Sequence, residues 1–136
     1  MEIKRDRYLK KIISFMWDGQ VKVITGIRRC GKSYLLFEIF ASWLENEGIA
    51  SDHIIKVDLE DYKNREMRNP DNLYAYMESR IADDAMYYLL LDEVQMLDKF
   101  EDVLNGFLRM RNVDVYVTGS NAKFLSKDIA TEFRGR

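Results

Sequence analysis

Val21-Lys22-Val23-Ile24-Thr25-Gly26-Ile27-Arg28-Arg29-Cys30-Gly31-Lys32-Ser33 is the stretch on which the fold turns. Its first five residues are mostly β-branched and follow the turn signal Asp18-Gly19, which predicts a strand. The remaining eight fit G-x-x-x-x-G-K-[ST] at every fixed position. From Ser33 onward Leu35, Leu36, Ile39, Phe40, Trp43 and Leu44 recur at helical spacing up to Gly48, a residue suited to a left-handed C-terminal cap. A strand, a glycine loop and a helix in that order make an anion receptor. Gly26 and Gly31 admit dihedrals and close approaches that a Cβ forbids, so successive N–H groups turn towards a polyphosphate. The helix start adds partial positive charge, Lys32 reaches for terminal phosphates, and the Ser33 hydroxyl is a ligand for Mg²⁺. A plain strand-to-helix turn has no need of Lys followed by Ser. The nucleotide-binding set read from this stretch is Gly26, Ile27, Arg28, Arg29, Cys30, Gly31, Lys32, Ser33 and Tyr34. Arg28 and Arg29 are read either as charge beside the phosphates or as solvent-facing loop positions. Cys30 is either a plain loop residue or, at a helix start beside Lys32, a reactive thiol.

Working outward, His53 to Asp58 reads as a second strand, and Asn69-Pro70 sets a capping residue before a proline at the first helical position. Leu73, Tyr76, Met77 and Ile81 supply the face of the helix that follows. Met86 to Leu91, MYYLLL, is a continuous apolar run, as expected of a parallel strand covered on both faces. Asp98 and Glu101 have the spacing of a capping pair for a helix with the face Phe100, Val103, Leu104, Phe107 and Leu108. Val113 to Thr118 is a further strand. Before the glycine loop, Tyr8, Leu9, Ile12, Ile13 and Met16 make one stripe of an N-terminal helix within residues 1–20. Strands alternating with helices imply an α/β domain with a mainly parallel sheet, whose ligands bind at the carboxyl ends of the strands.

Two further strand ends carry polar groups. Leu91 is followed by Asp92 and Glu93, which sheet geometry brings beside the glycine loop. Asp92 is suited to Mg²⁺, and Glu93 to polarising a water for attack on a γ-phosphate. Thr118 is followed by Gly119, Ser120 and Asn121. Ser120 and Asn121 are candidates either for touching the γ-phosphate and orienting that water or for capping a helix begun by Ala122, Phe124 and Leu125.

Composition narrows the classes. The chain has 136 residues, 47% of them hydrophobic, which suits one folded domain and lies far from a disordered composition. One cysteine and one histidine leave too few ligands for a Cys/His zinc site. No stretch reaches the ~20 apolar residues of a membrane span, and the basic N-terminus lacks a signal-peptide core, so the expectation is a cytoplasmic protein without a membrane partner. Residues 1–40 and 106–136 are basic and residues 41–105 acidic. Lys4, Arg5, Arg7, Lys10 and Lys11 are read as the wet face of the first helix, with a phosphate or nucleic-acid patch as the alternative. The net charge of −2 lacks the basic excess of a dedicated nucleic-acid binder. The order of motifs also leaves open a small kinase with the same glycine loop, or a non-catalytic module that uses nucleotide to bind DNA or a protein.

Taken together, GIRRCGKS, LLLDEVQ, VYVTGSN and the terminal EFRGR resemble the AAA+ superfamily of ATPases. More narrowly, they resemble prokaryotic predicted ATPases that pair such a domain with a C-terminal DUF4143 region. The resemblance implies a three-layer αβα P-loop NTPase core that binds ATP with Mg²⁺ and hydrolyses it in the intact protein. Gly26, Gly31, Lys32 and Ser33 match Walker A, Asp92 and Glu93 match Walker B, and Ser120 or Asn121 matches sensor 1. Arg136, with Arg134 second, falls where the family places an arginine that serves a neighbouring subunit of an oligomer. On this resemblance the chain is expected to be part of a longer protein, with a fifth strand and a helical lid lying beyond Arg136, and to bind nucleotide while hydrolysing it poorly by itself.

Overall fold

The protein is described by a computed structural model covering residues 2–25, 30–119 and 130–134. Strands β1 (Val21–Thr25), β2 (Ile54–Asp58), β3 (Tyr87–Asp92), β4 (Val113–Thr118) and β5 (Ala130–Arg134) form one sheet in the order β2-β3-β4-β1-β5. Every neighbouring pair is parallel. Alternation along the strands divides the interior into two cores. Val23, Val57, Leu89, Leu91, Val115 and Val117 face α4 (Pro70–Arg80) and α5 (Phe100–Leu108), which contribute Leu73, Met77, Leu104 and Phe107. Ile24, Ile54, Leu90 and Tyr116 face the other way, against Ile12 of α1 (Glu2–Ser14) and Leu36, Phe40 and Leu44 of the helical run that follows β1. The chain is therefore the three-layer α/β arrangement expected from the sequence.

That helical run has three parts without a break: α2 (Cys30–Tyr34), a π-helical segment Leu35–Phe40 and α3 (Ala41–Asn46). Its apolar face is the one set by the spacing of Leu35, Leu36, Phe40 and Leu44, all buried. Gly48 ends it with φ +99°, the left-handed conformation that a Cβ disfavours. At the start of α4, the Asn69 side chain accepts from the N–H groups of Asp71 and Asn72, and Pro70 follows it as expected. In α1, Ile12 is fully buried while Arg7, Lys10 and Lys11 are exposed, so this is an amphipathic helix with a wet basic face.

Two expectations are corrected. The fifth strand does not lie beyond Arg136: β5 pairs with β1 from Val21↔Ala130 to Thr25↔Arg134. It escaped the sequence reading because an outer strand needs none of the unbroken apolar character of β3, and Ala130-Thr131-Glu132-Phe133-Arg134 carries two charges in five residues. Asp98 and Glu101 do not form a capping pair. The residue before α5 is Lys99, in the left-handed region at φ 52°, and no side chain caps the helix, while the Asp98 N–H donates to the Arg68 carbonyl at 2.9 Å. The chain turns into α5 through a tertiary contact with the Tyr62–Arg68 segment instead.

A polar cluster lies at the amino ends of the strands. Lys22 is fully buried, and its Nζ donates to Asp18 Oδ1 at 2.9 Å, the Gln20 carbonyl at 2.7 Å and Asp114 Oδ1 at 2.6 Å. Asp114 Oδ2 also accepts from the Trp17 N–H at 2.8 Å and from the Tyr116 hydroxyl. Burial and the Asp114 carboxylate push the Tyr116 phenol far above its usual range, so it is always a donor. The cluster ties the α1–β1 turn to β4.

Candidate active site

At the opposite, carboxyl ends of β1, β3 and β4 the remaining polar groups converge. The chain leaves β1 onto the α1 face of the sheet and leaves β2 and β3 onto the α4/α5 face. The strand order thus opens a crevice where these connections part. The α2 helix starts there and delivers Lys32 and Ser33. Lys32 is nearly buried, with Nζ 3.1 Å from the Gly119 carbonyl and 3.4 Å from Glu93 Oε2. The Ser33 hydroxyl donates to Asp92 Oδ2 at 2.7 Å. Phosphate-loop helix and acidic pair, 59 residues apart in sequence, are in direct contact.

Thr118, at the end of β4, holds the acidic pair together. Its hydroxyl donates to Asp92 Oδ1 at 2.5 Å and accepts from the Glu93 N–H at 2.8 Å. Asp92 therefore receives one hydroxyl donor on each oxygen. Burial nevertheless holds its carboxyl above the usual range. The two hydroxyl bonds pull it down by less, and nearby Asp58 and Glu93 add to the upward push. A carboxylate so desolvated, with a serine hydroxyl against it, is a hard-oxygen pair that gains from a divalent cation. Among the described residues no three His, Cys, Asp or Glu side chains gather as a metal site.

Glu93 sits in the left-handed region at φ 55° and ψ 61°, an uncommon place for a residue with a side chain. The strain is held by the Thr118 bond to its N–H and by the Met96 N–H donating to its carbonyl at 3.0 Å. The effect is to break the strand after Asp92 and turn the Glu93 carboxylate towards Lys32. Gln95 Nε2 donates to Glu93 Oε1 at 2.6 Å.

Of the residues singled out from sequence, Lys32, Ser33, Asp92 and Glu93 are brought together, and Gly31 and exposed Tyr34 lie on α2 beside them. Cys30 opens α2 and Arg134 ends β5. Gly26, Ile27, Arg28, Arg29, Ser120, Asn121 and Arg136 lie outside the described residues. Thr118, Gln95 and the Gly119 carbonyl were missed. Thr118 read as the last residue of a strand, and only its parity with Asp114 and Tyr116 along β4 could have placed its hydroxyl on the site's face.

This fold and site define a P-loop NTPase core of the nucleotide-binding class. Residues 18–136 match the AAA_14 family, described as an AAA domain, and the chain belongs to that family. It is 32% identical over 135 residues to an uncharacterized protein of Haemophilus influenzae, covering 98% of this chain and 34% of that protein. It is 32% identical over 134 residues to the uncharacterized protein MJ1544 of Methanocaldococcus jannaschii, covering 98% of this chain and 27% of that one. The chain thus spans about a third or less of the length of these relatives.

Among solved structures the fold is similar to a chain of Drosophila ORC bound to AT-rich DNA and Cdc6, with a TM-score of 0.60 at 12% identity over 96% of this chain and 53% of that one. It is similar to C. elegans PCH-2, with a TM-score of 0.57 at 17% identity over 96% and 38%. A DNA replication initiation factor gives a TM-score of 0.56 at 16% identity over 94% and 44%. These three likenesses are of fold.

Proposed function

We propose that this domain binds ATP with Mg²⁺ and, in the intact protein, hydrolyses it, coupling turnover to conformational change. The observation that carries the reading is the contact of Lys32 and Ser33 with Asp92 and Glu93, joined by Thr118, five polar side chains at one crevice at the carboxyl end of the sheet. Ser33 and Asp92 would hold Mg²⁺, which neutralises charge on the phosphates when bound. The start of α2 and the Lys32 ammonium attract the phosphate oxygens, and Lys32 exchanges the Gly119 carbonyl and Glu93 for them. Glu93, released from Lys32, accepts a proton from the attacking water. Thr118 keeps Asp92 and the Glu93 backbone in register while this happens.

The choice of ATP over GTP rests on the family resemblance. So do the match of Ser120 or Asn121 to sensor 1, an oligomer in which Arg136 or Arg134 serves a neighbour's nucleotide, and the C-terminal DUF4143 region, while the cytoplasmic setting rests on the hydropathy and charge pattern of the sequence. Glu93 following Asp92 supports hydrolysis over phosphate transfer to another acceptor, because it supplies a base for water beside the metal ligand. The test is Glu93→Gln in the intact protein, assayed for phosphate release and for nucleotide binding. The expected result is loss of turnover by about 10²- to 10⁴-fold with binding retained. Unchanged hydrolysis removes Glu93 from its role.

A further inference from the structure

We infer that Gln95 is a positioning residue for the Glu93 carboxylate, setting where the base stands once Lys32 has left it for phosphate. The inference rests on the hydrolytic reading above and adds a residue to it. The two oxygens of the Glu93 carboxylate have different partners. Oε2 faces Lys32 Nζ at 3.4 Å, a long and exchangeable ion pair, while Oε1 accepts from Gln95 Nε2 at 2.6 Å, a short charge-assisted hydrogen bond. Lys32 is also the group that any phosphate recruits, so its hold on Glu93 ends when nucleotide arrives. The Gln95 bond engages no phosphate-binding group and has no such competitor.

The backbone explains how a residue two positions along can serve. Glu93 is left-handed, and Val94–Met96 forms a single 3₁₀ turn immediately after it, closed by the Met96 N–H on the Glu93 carbonyl at 3.0 Å and the Leu97 N–H on the Val94 carbonyl at 3.0 Å. Val94 and Leu97 are buried and anchor the turn in the α4/α5 core. In an extended strand, residues two apart would share a face but run onward along the sheet. Here the reversal at Glu93 folds Gln95 back over the Glu93 carboxylate, two positions before it. Gln95 itself is exposed, so its amide contributes nothing to the core, and holding Glu93 is the contact the structure gives it. A glutamate base with one oxygen tethered points its other oxygen along a fixed line. Loss of that bond widens the range of orientations the carboxylate samples, at a cost in rate and none in nucleotide affinity.

Gln95→Leu removes the donor at nearly constant size, and Gln95→Glu replaces it with a carboxylate that repels Glu93. Steady-state ATP hydrolysis by the intact protein, with thermal unfolding as the check on folding, is the experiment. The expected result is that kcat falls by about 10- to 100-fold in both variants, at least as far in Gln95→Glu, with KM for ATP within about twofold of wild type and the unfolding temperature unchanged. Wild-type kcat in either variant, or a loss carried by KM instead, overturns the role of Gln95. Glu93→Gln measured alongside separates the two readings. If it abolishes turnover while Gln95→Leu does not, only the positioning role falls. If it leaves turnover intact, the hydrolytic reading falls and the role of Gln95 with it.

Discussion

The two ends of the sheet use the same ingredients to opposite ends. At the amino end, Lys22 lies fully buried between Asp18 and Asp114 with three bonds of 2.6 to 2.9 Å. At the carboxyl end, Lys32 lies nearly buried against Glu93 at 3.4 Å and one carbonyl at 3.1 Å. Among the described residues no buried side-chain polar atom lacks a partner, so satisfaction alone does not distinguish them. Geometry does. The Lys22 cluster is short-bonded and closed, and includes the phenol of Tyr116, which never ionises in the working range. In the Lys32 cluster the carboxylates are short-bonded, but the Lys32 ammonium itself has only long contacts, the backbone is left-handed at Glu93, and burial opposes the ionisation of Asp92. A closed buried network fixes structure, whereas one under electrostatic strain is relieved by a ligand.

Substitutions of the same kind at the two ends test that contrast. The largest stability effect is expected at the amino end. Asp114→Ala leaves Lys22 buried with half its charge partners, and the expected cost is about 3 to 5 kcal/mol in urea unfolding. A cost below about 1 kcal/mol would mean that Asp18 alone carries Lys22 and that the cluster is not a lock. Thr118→Val at the carboxyl end strips one hydroxyl from Asp92 and leaves the Glu93 N–H without that acceptor. About 1 to 2 kcal/mol of stability is expected to go, together with turnover in the intact protein.

Asp92→Asn is expected to cost the least. Because burial raises the Asp92 carboxyl above its ordinary 3.8, the folded chain holds that proton more tightly than the unfolded chain does. Stability from this group is therefore highest at low pH and is lost as pH rises from 3.8 through the folded value. The amide escapes that loss. Asp92→Asn is thus expected to unfold no lower than wild type at neutral pH, with its advantage shrinking as pH falls towards 3.8, while Mg²⁺-dependent nucleotide binding weakens. An unfolding temperature several degrees below wild type at pH 7 would make Asp92 a structural residue like Asp114.

The parts of this contrast that were legible in sequence follow from how local their causes are. The Gly48 cap, the Asn69-Pro70 start and the apolar run of β3 each depend on neighbours a few positions away, and each was readable. Asp92 and Glu93 were readable as a pair because an apolar strand ending in acids is a local event, and the parallel sheet then dictates where it ends. Lys22 and Asp114 were not singled out. Each sits inside a β-branched run, and their meeting depends on β1 and β4 being neighbours in the sheet, with Lys22 paired in register to Tyr116. Thr118 and Gln95 were missed for related reasons, one a cross-strand contact and the other a consequence of the left-handed Glu93. The outer strand β5 was missed because its pairing with β1, more than its own composition, makes it a strand.

The central claim is that Lys32 is held in exchangeable contacts for a nucleotide phosphate, and isothermal titration with Mg-ATP tests it most directly. Wild type is expected to bind, and Lys32→Ala to bind at least about tenfold more weakly, as the loss of one charge-assisted phosphate contact requires. Equal affinity in the two proteins, or no binding by wild type at millimolar nucleotide, would contradict it.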